Sequence, residues 1–392
     1  MKTPQASRLI SNCLLLTPLL ALRLICLPAT AAEPSKTIAR AVQPFVDSNT
    51  LAGAVMLVES RDKVLSLEAV GWLDIAQRKP MRTDALFWIA SQSKSMTAAA
   101  LMMLVDEGRV NLDDPVEKYL PEFKGQMLAV EHDADHVLFR KPVHPITERE
   151  ILSHTSGLPF SSPLEQPTLD GLPLRDAVRS YAMVPLQFPP GTKYQYSNAG
   201  INTAGRIIEV VSGLPYEQFM EERLFKPLGM KDTTFWPSAK QVKRLAKSYK
   251  PAQGKTGLEE MLVTQLRYPL SDRVHRFPMP AGGLFSTASD AAQFCRMILN
   301  GGVCEGKRLL SKEAVRQLTS RQTAPDIKDS YGLGFAVGTD WCGHGGAYAT
   351  NMQIDRRRGL VLVWMVQHNG FPGDGAKSQD AFKQAAIAAF AP

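Results

Sequence analysis

Residues 53–60, GAVMLVES, are apolar almost throughout, and VLSLEAVGWLD at 64–74 follows the polar turn Arg61-Asp62-Lys63. Two apolar runs either side of a charged turn predict a pair of strands. From Ser91 to Glu107 the pattern changes to Ala, Met and Leu without Gly or Pro, which predicts a helix closed by Gly108. Short helical stretches and Pro- and Gly-rich loops fill the chain to about residue 270. YGLGFAVG (331–338), AYATNMQID (347–355) and GLVLVWMVQH (359–368) then predict three closing strands, with an Ala-rich helix over 380–390. Strands at both ends with helices between them predict an α+β fold. Its antiparallel sheet is built from both termini and flanked by helices, with a mainly helical region inserted. The expected boundaries are about 38–90 and 275–392 for the sheet region and about 91–274 for the helical one.

At 392 residues and 44% hydrophobic content the chain can bury a large core. Its first 32 residues read differently from the rest. Lys2 and Arg8 precede an apolar stretch from Leu14 to Leu27, and Ala29-Thr30-Ala31 matches the small-x-small pattern of a signal-peptidase site. Cleavage after Ala31 or Ala32 is therefore expected, leaving a mature chain of 33–392 that is exported to the periplasm or secreted. The competing reading is an uncleaved anchor, but Pro18 and Arg23 interrupt a run well short of the ~20 residues that span a bilayer. Residues before Cys26 are not the small ones a lipoprotein site prefers. Lys2, Arg8 and Arg23 carry three of the +7 formal charges, so their removal leaves +4. That mild charge is scattered, which argues against nucleic acid as a partner. Cys295, Cys304 and Cys342 remain; Cys295 and Cys304 could pair across Asn300-Gly301-Gly302, or all three could be buried thiols.

Candidate chemistry begins at Ser91-Gln92-Ser93-Lys94. A spacing of three puts Ser91 and Lys94 on one helical face. A serine hydroxyl needs a base, and a lysine of ordinary pKa ~10.4 serves only if burial or a cationic neighbour lowers it. A helix start also aims backbone N–H groups at a developing oxyanion and lowers a nearby tyrosine's pKa. By itself S-x-x-K is weak, and Ser91 could simply be an N-cap. Tyr196-Ser197-Asn198 follows the turn Pro190-Gly191-Thr192; its phenol can exchange a proton and its amide can hold a carbonyl. Alone, Tyr196 reads more readily as a core aromatic with its hydroxyl satisfied, and Tyr194 lacks the asparagine two positions on. Gly343-His344-Gly345-Gly346 stands just before an expected strand, where glycines allow close backbone approach to a sheet edge. Alone, it reads as a tight turn with a surface histidine.

Together these motifs carry a resemblance. FWIASQSKSMTAAALMMLVDEGRVNLDDPV, ITEREILSHTSGLP, PGTKYQYSNAGINTAGRIIE, LFKPLGMKDT and PAGGLFSTASD resemble the β-lactamase-related family of class C β-lactamases, D-alanyl-D-alanine carboxypeptidases and family VIII-type esterases. The resemblance runs over about residues 38–390. It implies Ser91 as nucleophile, Lys94 and Tyr196 as proton carriers, and Asn198, His344, Gly345 and Gly346 as substrate-binding positions. The backbone N–H groups of Ser91 and Ala347 are implied as the oxyanion hole. It implies no cofactor and no metal.

Three other features compete with these motifs. Lys255-Thr256-Gly257 spells K-T-G, but it lies in a basic loop before PAGGLFSTASD, whereas the family's third element follows that block, as His344 does. Glu165 precedes the Tyr196 motif and reads as an ordinary loop carboxylate. His132, Asp133, Asp135 and His136 read as a solvated loop. No G-x-S-x-G occurs. A lysine at the third element would favour a carboxylate; His344 carries little charge at neutral pH and favours esters or amides, then D-alanyl peptides, then β-lactams. The expectation is a monomeric serine hydrolase acting through a Ser91 acyl-enzyme on a small ester, amide or peptide, with no membrane span after signal removal. The alternative is a penicillin-binding sensor or binding module that acylates without turnover.

Overall fold

The computed structural model describes residues 37–391, Lys255 excepted; the expected signal segment lies outside them. Among the described residues, seven strands form one antiparallel sheet. In chain order they are β1 (Gly53–Glu59), β2 (Val64–Asp74), β3 (Lys79–Pro80), β4 (Ala336–Val337), β5 (Trp341–Gly345), β6 (Asn351–Asp355) and β7 (Leu360–Met365). Their order across the sheet is β4-β5-β6-β7-β1-β2-β3, so the two ends of the chain meet where β1 pairs with β7, Val55 opposite Met365. This bears out the α+β fold with its sheet built from both ends.

Alternation along the two central strands explains the layers. Met56, Val58, Leu362 and Trp364 point to one face, where they pack with Ile38 and Val42 of helix α1 (Thr37–Asp47) and Phe382 of the final helix (Ser378–Phe390). Val55, Leu57, Val361 and Val363 point to the other face and join the main core. That core continues into helix α2 (Ser93–Asp106), helix α3 (Glu148–Ser153), helix α4 (Asn198–Ser212) and helix α5 (Ala288–Leu299). The final helix is α6. A strand covered on both faces reads as a continuous apolar run, and all six residues of β7 are buried.

The local readings needed correction at four places. The run 331–338 supplies only the two-residue β4, while the glycine motif expected to precede a strand lies in β5 itself. The next strand begins at Asn351, not at Ala347. Helix α2 begins at Ser93, and Ser91 stands in a 3-10 turn, Ala90–Gln92, that leads into it. Cys295, Cys304 and Cys342 are free, buried thiols. Among the described residues no helix is long and apolar enough to cross a membrane.

Candidate active site

The nucleophile candidate is held by the turn that carries it. Phe87–Trp88 pairs with Phe285–Ser286, and Ile89 N–H donates to Leu284 O at 3.0 Å, fastening the chain just before Ser91. Ala90 then adopts φ +46°, a left-handed conformation that a non-glycine residue takes only where its surroundings impose it. Ser93 Oγ donates back to Ala90 O at 2.6 Å. Lys94, one turn into the apolar helix, is fully buried.

Three oxygens surround Lys94 Nζ: Asn198 Oδ1 at 2.7 Å, Ala281 O at 2.7 Å and Ser91 Oγ at 3.2 Å. Its nitrogen also lies 4.6 Å from the centre of the Tyr196 ring. Each partner is fixed from elsewhere. Asn198 opens α4, whose N-cap Ser197 accepts from Gly200 N–H at 3.1 Å. Ala281 N–H donates to Asn202 Oδ1 at 2.9 Å, and Thr97 Oγ1 donates to Pro280 O at 2.8 Å, so the loop 280–281 is tied to both α2 and α4.

Burial holds the Lys94 ammonium well below its ordinary pKa, because a charge there loses its hydration. The Tyr196 phenol, hydrogen-bonded to Ser91, is pushed up by burial, opposite to the shift expected from a helix start. The neutral forms of both are therefore favoured. A neutral amine has two N–H groups and one lone pair. Asn198 Oδ1, already accepting from Lys94, and the Ala281 carbonyl can only accept, so they take the two N–H groups. The lone pair is left to face the Ser91 hydroxyl.

A cleft of about 350 Å³ opens over these groups. Ser91, Tyr196, Asn198, Gly345, Gly346 and Ala347 all line it, so the structure brings together most of the residues singled out in the sequence. No Asp, Glu, Lys, Arg or His lines it among the described residues. Gly346 is needed sterically: a Cβ there would meet Ile89 O at 2.6 Å and Thr350 Oγ1 closer still, whereas a Cβ on Gly345 would meet nothing nearer than 3.7 Å.

His344 sits elsewhere. It is 8% exposed and is not among the cleft-lining residues. Its Nδ1 donates to Gly345 O at 2.6 Å, and its Nε2 accepts from the Tyr331 hydroxyl at 2.9 Å. The tautomer follows from the carbonyl, which can only accept. Burial, with Lys94 nearby, pushes the His344 pKa down to about 4.

Sequence reasoning missed His154, which caps α3 with φ +62°. Its ring lies 4.6 Å from that of Tyr196 and 4.7 Å from that of Tyr331, and its Nδ1 accepts from Ser197 N–H at 3.2 Å. Burial keeps it neutral. The histidine was visible inside ITEREILSHTSGLP, but nothing in its spacing tied it to the tyrosine. Glu165, read as an ordinary loop carboxylate, is 2% exposed and accepts from the Tyr181 hydroxyl at 2.6 Å, and it is not among the cleft-lining residues. Asp133 and His136 are exposed at a hairpin tip. Lys255 of the K-T-G decoy lies outside the described residues.

Comparison with known proteins gives a consistent result. The Beta-lactamase family model matches residues 38–386. Protein Rv1367c of Mycobacterium tuberculosis is 34% identical over 368 residues, covering 83% of this chain and 88% of its own. Esterase EstB of Burkholderia gladioli is 31% identical over 365 residues, covering 82% and 88%. Among solved structures, EstCE1, described as a hydrolase with promiscuous acyltransferase activity, superposes with a TM-score of 0.73 at 23% identity, covering 90% of this chain and 98% of its own.

Proposed function

Since the chain belongs to the β-lactamase family and is one of its serine hydrolases, we propose that it is an exported esterase acting on small neutral esters through an acyl-enzyme on Ser91. The observation that carries this reading is the setting of Lys94 Nζ, with Asn198 Oδ1 and Ala281 O each at 2.7 Å and Ser91 Oγ at 3.2 Å. With its two N–H groups committed to Asn198 and Ala281, the amine can take the Ser91 proton only from the side where the hydroxyl stands, 3.2 Å away.

As Ser91 Oγ bonds to the ester carbonyl carbon, its proton passes to Lys94. The backbone N–H groups of Ser91 and Ala347 receive the oxyanion. Collapse of the tetrahedral adduct breaks the bond to the alcohol oxygen, which takes a proton from the Lys94–Tyr196 pair. Water then attacks the acyl-enzyme with the same pair as base, releasing the acid and restoring the Ser91 hydroxyl. The Asn198 amide, turned by its bond to Lys94, presents Nδ2 to the bound acyl group.

Preference for a neutral ester over a carboxylate-bearing β-lactam or D-alanyl peptide rests on the uncharged lining of the cleft and on the neutral His344 beneath it. EstB carries the name esterase. Export rests on the leader pattern of residues 1–32.

The test incubates the mature protein with p-nitrophenyl acetate and with a fluorescent penicillin, following both turnover and labelling. Ester turnover should exceed penicillin turnover, and Ser91→Ala should abolish ester hydrolysis by several orders of magnitude while the fold persists. Near-normal hydrolysis by Ser91→Ala would overturn the assignment.

A further inference from the structure

A second cavity, of about 600 Å³, lies on the other side of Trp88 from the catalytic cleft and shares that residue as a wall. Leu245, Met261, Val263, Leu270 and Phe285 make most of its lining apolar. Native interiors are packed to near-crystalline density, and a space this size between apolar walls falls in the range of ligand pockets. Its rim carries Val242, Leu262 and Tyr268, which are 43%, 63% and 40% exposed. Three large apolar side chains exposed around one opening are a feature that soluble surfaces otherwise avoid.

An independent observation comes from Gln367, which lines the same cavity and is 3% exposed. Its Oε1 accepts from Trp88 N–H at 3.0 Å. A backbone N–H can only donate, so the orientation of the amide is fixed and Nε2 is the other end. Among the described residues that Nε2 has no hydrogen-bond partner. A buried donor without an acceptor is costly, and native structures seldom keep one without a use.

We propose that this cavity binds a neutral, chain-like apolar molecule carrying one oxygen acceptor, which takes the Gln367 amide N–H. The acceptor must be uncharged, as in an alcohol, ketone or ester. A carboxylate beside Gln367 would surrender its hydration for a single donor group. The ionic groups in the lining are Lys243, which is exposed to solvent, and Lys247 and Glu260, which pair with each other at 2.6 Å.

Calorimetric titration of the mature Ser91→Ala protein with decan-1-ol tests the proposal without turnover. Saturable binding at one site is expected. Leu245→Trp, which fills the cavity from its wall, should weaken it by about tenfold or more. Gln367→Met should weaken it about fivefold to tenfold, the scale of one hydrogen bond. Thermal melts, together with unchanged p-nitrophenyl acetate turnover for Leu245→Trp in the Ser91-containing chain, establish that the fold survives. Absence of saturable binding, or equal affinity in Leu245→Trp and the parent, would overturn it. The source of the ligand is read separately from Leu245→Trp kinetics. Selective loss of p-nitrophenyl decanoate hydrolysis assigns the cavity to the substrate's own chain. Equal decanoate turnover with decan-1-ol binding lost assigns it to a separate ligand. Because binding is measured with Ser91 absent, its failure leaves the catalytic reading untouched.

Discussion

In the proposed mechanism Lys94 governs how the site responds to pH. The amine must be neutral to accept the Ser91 proton, so kcat/KM for an uncharged ester should fall on the acid side with one limb. That limb belongs to the Lys94–Tyr196 pair and should lie below the ordinary value of either group. His344 is pushed down to about 4 by burial, with Lys94 nearby, so a limb of its own would fall at that low pH. A pH–rate series should therefore show the limb unmoved in His344→Gln, with Tyr196→Phe losing orders of magnitude in rate. Disappearance of the limb in His344→Gln alone would make the histidine the base. Stability carries the same signature. Unfolded Lys94 binds a proton below ~10.4, whereas the native amine stays neutral to a lower pH, so the unfolded state holds more protons in that window. Wild type should lose stability relative to Lys94→Met as pH falls from ~10.4, by up to about 1.4 kcal/mol per pH unit. Urea melts of both proteins across that range check it. The Ser91–Lys94 pair was legible in sequence because a spacing of three on a helix fixes proximity. The carbonyl of Ala281 was not, because a backbone acceptor leaves no mark on residue identity.

At the scale of elements, the turn from β5 into β6 joins the sheet to the cleft. Gly346 passes so close to Ile89 O and Thr350 Oγ1 that a methyl group would push the chain away from Ser91. Gly346→Ala should thus cut kcat at least about a hundredfold, the scale of losing an oxyanion donor. Gly345→Ala, with open space at its Cβ, should keep the melting temperature within a few degrees; steady-state kinetics and thermal melts on the two variants separate the roles. A larger kinetic loss for Gly345→Ala would show that the approach to Ile89 is not what positions Ala347. This strand was hard to read from sequence. A Trp-Cys-Gly-His-Gly segment offers little intrinsic strand preference, and its place is set by Met352 and Gln353 across the ladder. The run 331–338 misled in the opposite way. Its aromatic and apolar alternation suggests a strand, but Gly334 takes φ +71° against Lys94 O and turns the chain toward the helix.

For the whole molecule, the arrangement of the sheet was legible because its two strongest apolar runs, β1 and β7, lie near opposite ends of the sequence. Helix α1 escaped notice, since Pro44 and a short amphipathic pattern give weak signals that packing against the sheet overrides. The face it covers lies across the sheet from the main core, and Phe382 of α6 stacks there on Trp364 at 5.7 Å. Phe382→Ala should cost about 3–5 kcal/mol in denaturant melts while leaving kcat/KM unchanged at temperatures where the chain stays folded. A comparable fall in kcat/KM would mean that the far layer and the cleft are coupled. The pairing of Val55 with Met365 also orders events in time. While the last strands are still being synthesised, Ser91 and Lys94 can already share a helical turn, yet Ala347 has no sheet to stand on. On the proposed mechanism an interrupted chain is consequently not a feebler enzyme but an inert one. Recovery of ester hydrolysis after dilution from urea would then time a single event, the moment at which the tail of the polypeptide finds its head.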